Sequence, residues 1–243
     1  MNKNIGYKTK NLKDYYSHSR IKWNDFYESE KEIFYRLELN TITRVLDIGC
    51  ACGGLGLALH ERFGVEDYTG IEINFGAAEA ARVLNPSACI IHEDILKIST
   101  EQLGDFDTVV SLSCIDWNVE FDAMLRKAWT LVRRGGSLVV SLRLTEKEGI
   151  NDIGKSYQFI NFDGKREGEI ALYVVLNAKE WMNTAKSLPD ISYIRAFGYY
   201  GAPSVTAVTP YEQVCFAVFA LEKTVKPYDS LTLDLCGLPI DLM

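Results

Sequence analysis

The sequence predicts an α/β protein with a doubly wound, mostly parallel sheet, and three observations carry that prediction. From residue 44 onward, short apolar runs alternate with stretches of helical period, the rhythm of parallel βαβ units. A run of small residues, Gly49-Cys50-Ala51-Cys52-Gly53-Gly54, follows the first apolar run and precedes the first helix of that series, so the backbone there can approach a ligand closely. Three acids, Asp47, Glu72 and Asp94, stand at or just past the C-terminal ends of the first three runs, where an open α/β sheet binds its ligand.

The elements follow in order. Residues 44–48 (RVLDI) read as a buried strand, and residues 55–63 as a helix that stops at Gly64. Residues 68–73 form the second strand; Asn74 suits the N-cap of an Ala-rich helix to residue 84, which Pro86 ends. Residues 88–92 are the third strand, residues 99–103 a short helix, and residues 107–112 the fourth strand. A helix over 119–132 precedes a turn at Gly135-Gly136 and a fifth strand over 137–142. Residues 144–170 are polar, Gly-dotted and aperiodic, as an inserted cover would be; residues 172–176 suit a strand, and Asn177 with Glu180 suits a capping box. Residues 191–199 and 213–221 then read as strands joined without a helix, which predicts an antiparallel pair. One domain is therefore expected over 1–243: an arm or lid (1–42), a ligand-binding half (43–143), a cover (144–190), edge strands (191–222) and a tail (223–243).

Composition narrows the function classes. The chain has 243 residues and a net charge of −7, which argues against nucleic acid as the main partner. No apolar run approaches the ~20 residues of a membrane span and no secretory leader opens the chain, so a cytoplasmic protein is expected. Six cysteines without paired spacing suggest reduced thiols, and Cys50-Ala-Cys52 lacks the companions of a zinc site, so no metal is expected. Bases do cluster in residues 1–22, where Lys3, Lys8, Lys10, Lys13, Arg20 and Lys22 face Asp14 alone. That arm is either a solvated terminus or a lid that meets an anionic ligand.

A carboxylate at Glu72 suits both ribose hydroxyls of a nucleoside, and one at Asp94 suits an exocyclic amine. With these in place, the sequence over roughly 43–221 resembles the class I S-adenosylmethionine-dependent methyltransferases. Asp47-Ile-Gly49-Cys-Ala51-Cys-Gly53 is similar to that family's D-x-G-x-G-x-G loop, and Leu131-Val-Arg-Arg-Gly135-Gly136-Ser-Leu138 to its L-K-P-G-G-x-L turn. The resemblance implies a Rossmann-like sheet of seven strands whose last strand is antiparallel. It also implies a cofactor site, for S-adenosyl-L-methionine and its product S-adenosyl-L-homocysteine, made of Asp47, Gly49, Cys50, Ala51, Gly53, Glu72, Ile73, Asp94, Ile95 and Ser113. Ala51 replaces the central Gly, so its φ is expected to stay negative. Tyr16 and Arg20 are placed to meet the methionine carboxylate, as N-terminal residues do in many relatives. A nicotinamide-dependent dehydrogenase is the nearest competitor, because Gly49-x-Ala51-x-x-Gly54 loosely satisfies its spacing. A methyltransferase-like protein that only binds the nucleoside is the other alternative.

The acceptor is expected after the fourth strand, in Ser113-Cys114-Ile115-Asp116-Trp117-Asn118. Asp116 is read either as base or substrate anchor, or as the cap of the following helix. Trp117, Tyr157 and Tyr199 are candidates for the substrate pocket. Of the imidazoles, His60 falls mid-helix and His92 on the adenine side, which leaves His18 as a candidate catalytic group if the arm folds over the site. A small-molecule acceptor is expected, a polar ring such as a sugar or another metabolite; oligomeric state is not legible.

Overall fold

A computed structural model describes residues 7, 9–161, 163–226 and 230–242. The arm carries α1 (Asn11–Tyr16) and α2 (Glu28–Tyr35). The alternating core then runs β1 (Arg44–Ile48), α3 (Gly54–Phe63), β2 (Asp67–Glu72), α4 (Phe75–Leu84), β3 (Cys89–His92), α5 (Thr100–Leu103), β4 (Phe106–Ser111) and α6 (Phe121–Thr130). The second half holds β5 (Val132–Thr145), β6 (Tyr157–Phe159), β7 (Ile170–Leu172), β8 (Leu176–Asn177), α7 (Ala178–Lys186), β9 (Ile191–Gly201), β10 (Ala207–Val208), β11 (Val214–Lys223) and β12 (Thr232–Gly237).

The main sheet has the order β12-β9-β11-β5-β4-β1-β2-β3, with β8 pairing beside the end of β5. Only β11 runs against its neighbours, antiparallel to both β5 and β9. The sheet is thus the mostly parallel α/β sheet expected, with strands beyond the seven: short β8, and β12 from the tail, which pairs parallel to β9. Apolar cores cover both faces. Ile33, Phe34, Leu59 and Ala78 of α2, α3 and α4 pack on one, and Leu125, Trp129, Trp181 and Met182 of α6 and α7 on the other.

Three local expectations need correction. Gly135-Gly136 is no turn between helix and strand: β5 begins at Val132 and runs through it, with Gly135 at φ +77° where the pairing with β4 slips register. A left-handed glycine there inserts a bulge while the strand continues. The helix expected over 119–132 is α6, which starts at Phe121 and has no side-chain cap, so Asp116 is not its cap. The segment expected as cover divides in two. Residues 157–159 and 170–172 join β10 in a separate three-stranded antiparallel sheet, whereas α7 packs on the main sheet through Trp181, whose ring meets Phe121 and Phe219 edge-on.

The arm lies over the C-terminal edge of the sheet. Asn74 caps α4 by accepting from Ala77 N–H at 3.0 Å, and its amide donates to the Tyr7 carbonyl at 2.6 Å. Thr9 N–H donates to Glu169 of the cover at 3.0 Å, so arm and cover meet. Farther along, the chain at Arg20 presses on the start of α3: a Cβ on Gly54 would lie 2.1 Å from the Arg20 carbonyl oxygen. Lys3 and Lys8 lie outside the described residues. Because that obstacle is backbone, Gly54→Ala has to lift the arm. We expect a loss of about 1–3 kcal/mol in chemical denaturation and faster proteolytic cleavage before residue 21, with the sheet intact; unchanged cleavage would show that the arm does not depend on Gly54.

Candidate active site

A cavity of about 650 Å³ opens between the C-terminal strand ends, the arm and the cover, within the size range of small-molecule sites. One end is built by the turn after β1. Gly49, Ala51 and Gly53 all have positive φ, +78°, +48° and +76°. The expectation of a negative φ at Ala51 is therefore overturned. The physical reason is Glu72: its Oε2 accepts from Ala51 N–H at 2.9 Å and its Oε1 from Asn74 N–H at 2.7 Å. These charge-assisted bonds offset the ~1–2 kcal/mol that a left-handed alanine costs. Gly49 and Cys50 add N–H bonds to the Ile71 carbonyl, at 2.8 and 3.1 Å. Gly49 has no alternative residue, because a Cβ there would lie 2.4 Å from Cys114 Sγ.

Glu72 is 6% exposed, and burial raises its pKa against the lowering by backbone N–H groups. A carboxylate has about four lone-pair sites. The bonds from Ala51 and Asn74 fall on different oxygens, so each oxygen keeps a lone pair for a ligand's hydroxyl. Asp94 is as buried and uses Oδ1 to hold the short turn Ile95–Lys97 through Leu96 N–H at 3.0 Å. Cys50, Ile73, Asp94, Ile95 and Ser113 all line the cavity. Ser113 sits at φ +50° and donates its N–H to Ser141 Oγ at 2.6 Å.

Asp47 lines the cavity and is fully enclosed, with Tyr68 O–H donating to its Oδ2 at 2.6 Å. Burial pushes its pKa up to about 7 in spite of that hydrogen bond and of Arg20 nearby. Tyr68 was not anticipated; only the pairing of β1 with β2 brings it beside Asp47, and Gly56 on α3 leaves room for its ring.

Tyr16 and Arg20 also line the cavity, Arg20 with its guanidinium bonded to buried Glu30 at 2.8 Å and stacked 4.5 Å over Phe26. His18 does not. It is exposed, and its ring Nδ1 lies 3.4 Å from the Asp14 carbonyl one turn back in the same arm, so it is corrected from catalytic candidate to arm surface. At the other end, Trp117 and Tyr199 line the cavity, whereas Tyr157 packs edge-on against Phe159 and leaves its neighbour Gln158 to face inward. Tyr157 is thereby corrected as a substrate contact.

Asp116 occupies the floor of that end, 4% exposed and paired with Arg143 of β5 at 2.9 Å. Arg143 is equally buried, donates through Nε to the Val174 carbonyl at 3.0 Å and through Nη2 to the Asp116 carbonyl, and lies against the rings of Trp117 and Tyr173, which meet each other edge-on. The signal for Arg143 was present in the sequence, a lone cation inside the apolar strand SLRL. Among the described residues, no cluster of His, Cys, Asp or Glu is arranged to hold a metal ion, and no helix is long and apolar enough to cross a membrane.

The enclosed carboxyl of Asp47 makes stability depend on pH. Its pKa in the folded chain, about 7, lies above the ordinary 3.8, so the folded state binds the extra proton between those values. The stability this contributes is complete below about pH 4 and is lost as pH rises through 7, a change of about 4 kcal/mol. Denaturation of wild type and Asp47→Asn across pH 4–8 should show the difference in stability drifting against wild type as pH rises; a constant difference would mean that Asp47 is solvated.

Comparisons with known proteins agree with this geometry. Residues 45–136 match the family model described as a methyltransferase domain. Trans-aconitate 2-methyltransferase of Enterobacter sp. (strain 638) is 25% identical over 111 residues, 46% of this chain and 43% of that protein, so the chain matches less than half of that relative's length. Among solved structures, the YcgJ protein from Bacillus subtilis superposes with a TM-score of 0.57 at 11% identity, over 79% of this chain and 97% of that one. The N-terminal domain of EvdMO1, solved with SAH bound, gives 0.56 at 16% identity over 80% and 79%. At such identities the structures speak for the fold, and the matched segment 45–136 contains Asp47, the glycine turn, Glu72, Asp94 and the acceptor-side loop. Over residues 45–136 the chain is thus similar to a methyltransferase domain, on a fold shared with those solved structures.

Proposed function

We propose that this protein transfers a methyl group from S-adenosyl-L-methionine to a small-molecule acceptor held against Trp117 and Tyr199. The observation that carries the reading is the convergence of three buried carboxylates, Asp47, Glu72 and Asp94, with the glycine turn around one cavity. The residues fit the group: Glu72 keeps lone pairs on both oxygens for ribose hydroxyls, Asp94 lines the cavity beside Ile73 and Ile95 as an adenine amine would require, and Gly49 and Ala51 put backbone at the cavity wall. When bound, the cofactor supplies a methyl group already activated by its sulfonium charge.

The chain's own residues then bind, align and exclude water. The arm, through Tyr16 and the Arg20–Glu30 pair, closes one side of the cavity, and the cover closes the other. Trp117 is fixed by the guanidinium of Arg143 and offers a rigid wall for the acceptor. Asp116, bound to Arg143, serves as an anchor of that wall rather than as a base; alignment in a dry cavity carries the rate enhancement in this reading. A neutral amine acceptor attacks with its lone pair, keeps its proton as the bond forms and gives it up to solvent when the product leaves the cavity.

Titration calorimetry tests the assignment. S-adenosyl-L-homocysteine is expected to bind in the micromolar range, and Glu72→Ala to weaken it by at least ~1.5 kcal/mol, the loss for charge-assisted hydrogen bonds. NAD and NADP should give no heat, since the arm backbone at Arg20 packs on the start of α3 at Gly54, where a pyrophosphate would lie; a nicotinamide dinucleotide binding more tightly than S-adenosyl-L-homocysteine would overturn the reading.

A further inference from the structure

We propose that the acceptor end of the cavity takes a non-anionic polar ring, bearing hydroxyl or amine groups, and rejects carboxylates and phosphates; this rests on the methyl-transfer reading above. Among the described residues that line the cavity, six are acids (Glu30, Asp47, Glu72, Glu93, Asp94 and Asp116) and two are cations, Arg20 and Arg143. Both cations are already matched, Arg20 by Glu30 at 2.8 Å and Arg143 by Asp116 at 2.9 Å.

Arg143 is matched before any ligand arrives, flanked by two mutually perpendicular rings and bonded along its Nε–Nη2 edge. Trp117 and Tyr173 lie 4.5 and 3.8 Å from its guanidinium carbon, and three hydrogen bonds or ion-pair contacts run from Nε and Nη2 to Val174 and Asp116. An anion entering this end must leave water without a free counter-charge, which is strongly unfavourable in a buried site. A neutral hydroxyl meets no such penalty, and an ammonium group finds its desolvation offset by the cavity's excess of acids. Ten aromatic side chains line the cavity as a whole, Trp117, Phe159, Tyr173, Tyr199 and Phe216 at this end, and give a ring apolar faces and an amine cation–π contact. Beside them, the buried indole N–H of Trp117 and the hydroxyl of Tyr173 have no hydrogen-bond partner among the described residues.

The consequence distinguishes this chain from trans-aconitate 2-methyltransferase, whose name gives a carboxylate as substrate. It also makes Asp116 and Arg143 a specificity device. With Asp116 in place the pair is neutral; with its charge removed, the guanidinium becomes an unmatched buried cation that a carboxylate can satisfy.

Ligand-observed NMR on the protein saturated with S-adenosyl-L-homocysteine tests this with matched probes: cyclohexanol, cyclohexylamine and cyclohexanecarboxylate, and the benzyl alcohol, benzylamine and benzoate set. In wild type, the alcohol or amine of at least one ring should bind at least tenfold more tightly than its carboxylate. In Asp116→Asn, which keeps the side chain's shape, the carboxylate should gain at least tenfold relative to its alcohol. Carboxylates binding as well as alcohols and amines in wild type would overturn the proposal, as would the absence of binding by every probe. The wild-type comparison stands even if the variant does not fold. Saturation with S-adenosyl-L-homocysteine is measured first, so failure of the methyl-transfer reading shows as failure to load and is separate from the order of the acceptor probes.

Discussion

One carboxylate holds the ligand-binding end of this molecule together. Glu72 accepts from Ala51 N–H in the turn after β1 and from Asn74 N–H at the start of α4. It thereby ties two successive βα connections to each other and pins an alanine in a conformation it would otherwise leave. The cap that Asn74 places on α4, and the bond from Asn74 to Tyr7 in the arm, extend the same network to the lid. Neutralising or moving Glu72 would loosen the turn, the helix start and the arm together.

The second constraint sits at the other end, and it is also electrostatic. Arg143 joins three pieces that are distant in sequence: β5, the loop after β4 through Asp116, and the cover through Val174. A buried ion pair adds little net stability of its own, because desolvation of both charges offsets their attraction. Its effect is on geometry. It fixes where Trp117 and Tyr173 stand and leaves the acceptor end with balanced charge. The cofactor end, by contrast, gathers the buried carboxyls of Asp47, Glu72 and Asp94, as suits a cationic, hydroxyl-rich ligand.

Much of this was legible in the sequence where the signal is local. The Asn74 cap, the Gly64 stop and the glycine turn follow from residue types at adjacent positions, and the helix-free link between β9 and β11 follows from the missing periodicity of residues 202–213. What was not legible depends on partners far away in the chain. The sign of φ at Ala51 is decided by Glu72, 21 residues on, and Asp116 is decided by Arg143, 27 residues on. Tyr157 and His18 were misplaced because the side each presents depends on how cover and arm dock, which composition does not encode. The tail strand β12 was missed although Leu231, Leu233 and Leu235 alternate with polar residues, because so short a run needs β9 to pair with.

The central claim is that Glu72 serves the turn and the nucleoside at once, and a crystal structure of the S-adenosyl-L-homocysteine complex tests it most directly. The account predicts both ribose hydroxyls within about 3 Å of the Glu72 oxygens, with the bonds to Ala51 N–H and Asn74 N–H still in place and Ala51 still at positive φ. A ribose bound elsewhere, or a Glu72 that must release the turn to reach it, would contradict it.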